Sequence, residues 1–299
     1  MCSGSMPTPN PNPLDTLRSL LTTHDWADVA DRVVPTARTG LHVSKQYVEE
    51  TVQRRPLFGL IPRSPLLIHN PQHATPGASK IGGEPDLPAG FEWPTSEGRA
   101  FTFLAQFRCE SLPVGAIDSD LPRFGMLYFF VDGQHFAGRV FHLPEASGLR
   151  PALPPSKPAW KGLPDFPVAF LPIPTFPDLA SQEFDALHLD EEQVEAFASA
   201  LARWNQIVRS SRDGETGLHQ IGGFPASIQV DVRVAFKAAH ERLWGRASDD
   251  LSEWHLLFQL DTDADLGPPG RSPRMYFGIR KSDLADERFD RTVFVFQSS

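Results

Sequence analysis

The feature that most constrains this chain is a pair of ordered block series. Ile-Gly-Gly-x-Pro occurs at residues 81–85 and again at 221–225. After the first copy come FTFLAQF, GMLYFFVD and RVFHLP; after the second come WHLLFQLD, RMYFGIRKSDL and RTVFVFQ. One such pentapeptide match is expected about once by chance in a chain of this length. Three further blocks in the same order are not. Aligning Gln106 with Gln259 pairs Phe101 with Trp254 and Leu104 with Leu257, and aligning Tyr128 with Tyr276 pairs Phe129 with Phe277. The pattern predicts an internal duplication carrying different insertions. The fold expected is α+β, with a pseudo-duplicated, mainly antiparallel β-sheet core and a few peripheral helices.

Alternation within the blocks sets the expected faces. Phe101, Phe103, Ala105 and Phe107 fall on one side of a strand, with Thr102, Leu104 and Gln106 on the other. Trp254, Leu256, Phe258 and Leu260 share a face opposite His255, Leu257 and Gln259. Two readings of the paired glutamines are open. They satisfy backbone groups where strands meet loops, or they point into a cleft shared by the halves. The Gly-Gly pairs suit positive φ or close backbone approach, and the proline that follows sets an extended continuation.

Two helical regions flank these blocks. Leu14, Leu17 and Leu21, then Trp26, Val29 and Val33, give short helices ending near Pro35. Val194, Phe197, Leu201, Trp204 and Val208 form one apolar stripe, with Asp190 and Gln193 spaced as a capping box. VAFKAAHERLWG, after the second Gly-Gly, also reads as helix-forming. Residues 151–177 carry nine prolines and read as a stiff, extended connection, with a short edge strand around 168–171. The organisation expected is a disordered tail (1–13), a helical and connecting segment (14–78), a first β-rich half (79–150), the proline-rich connection (151–178), and a helix plus second β-rich half (179–299).

Composition narrows the function classes. A net charge of -9 without a long basic run disfavours sequence-independent nucleic-acid binding. No apolar run approaches the ~20 residues that span a bilayer. The N-terminus has neither the basic nor the apolar region of a secretory signal, and two cysteines fit a reducing compartment, so a cytoplasmic location is expected. No phosphate-loop, metalloprotease or nucleophile-elbow motif is present, and no cofactor is implied.

The candidate site residues are therefore dispersed. Gln106 and Gln259 would face a cleft. His219, beside the second Gly-Gly, would act there if pseudo-symmetry brought Glu84 or Asp86 alongside; the alternative is a histidine that anchors its loop. Trp93 and Trp160 lie in proline-rich loops and either anchor a partner or pack beneath the loop. Asp261, Asp263 and Asp265 alternate as calcium-loop ligands do, but Leu266 and Ser272 stand where such a loop needs glycine and glutamate. A solvated acidic turn is the alternative.

Taken together, IGGEPDLPAGFEWP, FTFLAQF and GMLYFFVD, followed by HQIGGFPASIQ, WHLLFQLD and RMYFGIRKSDLADERFDRTVFVFQ, resemble the YwqG-like family of bacterial proteins, from about Ile81 to Gln297. That resemblance implies an α+β protein with a sheet-rich core and no established catalytic residues. Some relatives are encoded near toxin–immunity loci, which points toward protein binding. LGPPGRSPRMYF replaces the family's Trp-Gly-Asp-x-Gly segment before the last YF strand, so no role is carried over from that aspartate. The function expected is a non-catalytic binding protein for a protein partner or small molecule. The alternative is a sensor or enzyme using a cleft between the halves.

Overall fold

The computed structural model describes residues 13–22, 26–52, 66–71, 75–113, 115, 117, 120–209, 217–261 and 274–298. The tail expected to be disordered lies almost wholly outside them, as do Asp263 and Asp265. Ten strands form the main sheet. They are β1 (Arg38–Lys45), β2 (Lys80–Ile81), β3 (Thr102–Arg108), β4 (Met126–Asp132), β5 (Ala137–Leu143), β6 (Phe166–Thr175), β7 (Gln220–Gly222), β8 (Trp254–Leu260), β9 (Arg274–Arg280) and β10 (Val293–Gln297). Their order is β5-β4-β3-β2-β6-β1-β7-β8-β9-β10, with every pairing antiparallel. From the central β6–β1 pair outward, each side presents a short Ile-Gly-Gly strand, then three longer ones.

The centre is built from segments read as connections. Phe166–Thr175 is not an edge strand but a ten-residue central one, pairing with β1 along Lys45–Arg38. Its prolines are tolerated because of where their missing donors would point. Val168 N–H donates away from β1, to the Ser79 carbonyl. Pro172 and Pro174 have the same parity as Val168, so they remove no donor from the β1 ladder. On that side β2 pairs only with Phe166 and Pro167. Strand β1 itself carries no strong alternation, with His42, Ser44 and Lys45 buried beside Leu41 and Val43.

The sheet curls until its two flanks pack face to face. The Phe107 and Phe258 rings lie 5.0 Å apart and Phe129 and Phe277 5.2 Å apart, although these strands are far apart in sheet order. Gly138 on β5 sits against Phe277 and Phe294 of the opposite flank, where an added Cβ would collide with both. This inner core also holds Leu104, Val131, Leu257 and Ile279.

Strict alternation fails at one position in each flank. The register shifts between Phe103 and Ala105 on β3, and between Leu256 and Phe258 on β8. A bulge moves every later side chain to the other face. Phe101 and Phe103 therefore pack with the outer cluster around Tyr128 and Phe130, while Leu104, Ala105 and Phe107 join the inner core. Likewise Trp254 and Leu256 lie outside with Tyr276, and Leu257, Phe258 and Leu260 lie inside.

Helices cover the outer face at the centre and second flank, and loop residues such as Phe91 and Trp93 cover the first flank. α1 (Pro13–Thr22), α2 (Ala27–Val33) and α3 (Glu191–Arg209) share a cluster containing Leu17, Leu21, Val29, Val33, Phe197 and Trp204. The capping box forms as read: Gln193 N–H donates to Asp190 Oδ1 at 2.9 Å, and Asp190 N–H to Gln193 Oε1 at 3.1 Å. α4 (Val232–Trp244) covers β8–β10 through Val232, Phe236 and Ala239. Its N-cap Asp231 accepts from Arg233 N–H and also pairs with the buried Arg233 guanidinium, which is held in addition by Glu183. Among the described residues no helix is long and apolar enough to cross a membrane.

Candidate functional site

The two Gly-Gly loops are built alike. Gly82, Gly83, Gly222 and Gly223 all have φ between 65° and 72°, the left-handed region that glycine enters freely. Gln106 Oε1 accepts from Asp86 N–H at 2.7 Å, and its Nε2 donates to the Ala78 carbonyl at 2.9 Å. Gln259 Oε1 accepts from Ala226 N–H at 3.0 Å, and its Nε2 donates to the Leu218 carbonyl at 2.8 Å. Tyr128 and Tyr276 hydroxyls donate to the carbonyls of Asp86 and Ala226. Burial pushes both phenols up, away from ionisation, which keeps them as donors.

These bonds place the expected site residues. Gln106 and Gln259 are fully buried, each closing its own loop, and five strand spacings of ~4.8 Å separate their strands along the sheet. Glu84 is exposed on the first loop. Asp86 belongs to the first loop as well, where its carboxylate meets Lys80 Nζ at 3.3 Å, Gln106 Nε2 at 2.7 Å and Gly77 N–H at 2.9 Å. His219 is buried on the second loop. Its Nδ1 accepts from Asp261 N–H, and its carbonyl accepts from the His42 ring. The structure thus gathers these groups into two separate loop anchors. Asp261 is committed to Arg209 and Arg274, and among the described residues no cluster of three His, Cys, Asp or Glu side chains is arranged to hold a metal.

Trp93 and Trp160 are half-buried. Trp93 donates its indole N–H to the Phe101 carbonyl and meets Phe130 edge-on. Trp160 covers Gly133 and lies 6.0 Å from the Phe136 ring. Phe136 lies in turn 4.7 Å from Phe296, and both phenylalanines are exposed, at 48% and 39%.

This aromatic row marks the seam where the sheet's two edges approach. β5 and β10 each pair on one side only. Between them and α4 runs an open groove of about 680 Å³. Its shape follows from α4, where Ala235, Ala238, Ala239 and Arg242 recur at helical spacing. Three methyl side chains leave the space empty. Leu243 is 60% exposed at the rim. Thr292 Oγ1 lines the groove, buried and without a hydrogen-bond partner among the described residues. Two exposed cations, Arg139 and Arg242, flank it, and neither pairs with a carboxylate among the described residues. His135 also lines it, but Asp132 Oδ2 holds its Nδ1 at 2.7 Å; that bond keeps the imidazole above its usual range and compensates its charge.

None of Phe136, Phe296, Arg139, Arg242 or Leu243 stands out in the sequence as a site. The one available signal was the alanine face of VAFKAAHERL, whose meaning depends on knowing that both sheet edges meet beneath it. A large curled antiparallel sheet with a few helices packed on it defines the class as α+β. The family model for a domain of unknown function, DUF1963, matches residues 79–298, and the chain belongs to that family. A comparison with curated proteins finds no match.

Proposed function

We propose that this chain is a non-catalytic, cytoplasmic binding protein of the YwqG-like type, and that its site is the seam between the outer edges of two duplicated half-sheets. The matched bonds of the two Gly-Gly loops support the duplication. The observation that carries the binding reading is the seam itself: exposed Phe136, Phe296 and Leu243 beside Arg139 and Arg242, in a chain of net charge -9. Exposed aromatic and aliphatic groups flanked by unpaired guanidiniums suit an acidic protein segment with one or two apolar anchors. The unpaired edges of β5 and β10 add backbone groups that an extended segment can engage.

The test is fluorescence anisotropy with a labelled acidic peptide carrying one phenylalanine and one leucine. The reading expects saturable binding that weakens with salt, and at least tenfold weaker binding by the Arg139→Glu/Arg242→Glu protein. Equal binding by both proteins, or no preference over a lysine-substituted peptide, would count against it.

A further inference from the structure

A second concavity lies away from the seam. α3, the end of β6 and the chain following the second Gly-Gly enclose a cavity of about 240 Å³. Ile173, Leu201, Trp204 and Phe224 give it apolar walls, and Arg209 and Arg274 reach it from the polar side. Its volume falls below the ~300–1,000 Å³ of pockets for drug-sized ligands, so it suits a small molecule.

The polar side is unevenly charged. Arg209 Nη2 and Arg274 Nη2 each lie 3.0 Å from Asp261 Oδ2, and Arg274 Nε lies 2.9 Å from Oδ1. Two guanidiniums therefore share one carboxylate. Arg274 is buried, and its Nη1 donates to the Ala226 carbonyl. Arg209 Nε is buried with no hydrogen-bond partner among the described residues. A buried donor left unmet costs about 1–3 kcal/mol, and a ligand acceptor would recover that. The lining also holds the Asp178 carboxylate, which receives the Ala180 N–H; burial raises its carboxyl above the ordinary range.

The first Gly-Gly loop shows what is special here. There the place of Ala226 is taken by Asp86, whose own carboxylate satisfies Lys80 and Gln106. The second loop has no such side chain, and its cations face a cavity. We propose that this cavity binds a small organic monocarboxylate with a compact apolar group, its carboxylate held by Arg209 and Arg274 and its apolar part against Leu201, Trp204 and Phe224. Arg209 Nε offers the unmet donor and Arg274 a second positive charge beside it, which favours a carboxylate.

Thermal unfolding of the full chain tests this, with phenylacetate, its neutral amide phenylacetamide, and inorganic phosphate as probes at constant ionic strength. Phenylacetate is expected to raise the midpoint saturably within tens of millimolar, with no response to the amide. Arg209→Gln, read against its own ligand-free midpoint, should weaken the response at least tenfold, and Arg209→Lys should restore part of it. Leu201→Trp, which fills the apolar end, should abolish it. Absence of any saturable shift with phenylacetate, an equal shift in Arg209→Gln, or a response to phosphate alone would overturn the assignment.

Discussion

Replacing Gln259 with leucine tests whether the paired glutamines serve as loop anchors. Leucine keeps most of the volume and removes both polar atoms. The structure then leaves Ala226 N–H and the Leu218 carbonyl without the amide that bonds them. Each buried unsatisfied group costs about 1–3 kcal/mol. The relief from no longer burying the amide itself offsets part of this, so a loss of about 3 kcal/mol is expected. For a urea m-value of about 3 kcal/mol/M, the unfolding midpoint falls by about 1 M. Gln106→Leu should cost at least as much, since Asp86 also loses its 2.7 Å donor. Equilibrium urea unfolding followed by tryptophan fluorescence reads both. Peptide binding at the seam should stay within about twofold for the Gln259 variant, because Gln259 lines no part of the seam groove. A midpoint shift below about 0.2 M at unchanged m would refute the anchor reasoning.

Three further outcomes follow from the same geometry. Gly223→Ala should destabilise by about 2 kcal/mol or more in the same assay, because φ is 67° and the new Cβ would collide with Thr175. His42, whose pKa burial and then His219 lower to about 4, is neutral in the fold. Its folded pKa lies below its unfolded one, so the unfolded chain gains the proton first as pH falls below about 6.5; stability should drop by about 2 kcal/mol by pH 5, and His42→Gln should remove that part of the slope. Burial pushes the Cys109 thiol up to about 12, so a Cys2→Ser protein should resist iodoacetamide until unfolded, as intact-mass spectrometry would read.

The strand blocks, the glycine turns and the capped helix were legible because each rests on local physics: alternation, φ preference and a four-residue hydrogen-bond pattern. What escaped was set by tertiary structure. Pro172 and Pro174 argued against a central strand, yet a strand tolerates them when their missing donors face away from its main partner. The bulges at Leu104 and Leu257 overturned an alternation that looked regular. The glutamines were recognised as paired, and their chemistry followed the plainer of the two readings. The seam residues gave almost no signal, since Phe136 and Phe296 stand 160 positions apart in the chain and meet only because the sheet curls.

Mapping the bound acidic peptide by hydrogen–deuterium exchange tests the central claim most directly. The account predicts slowed exchange in β5, β10 and the second half of α4, lost in the Arg139→Glu/Arg242→Glu protein, with the two Gly-Gly loops unchanged. Protection confined to those loops, or to α1 and α2, would place binding elsewhere and contradict it.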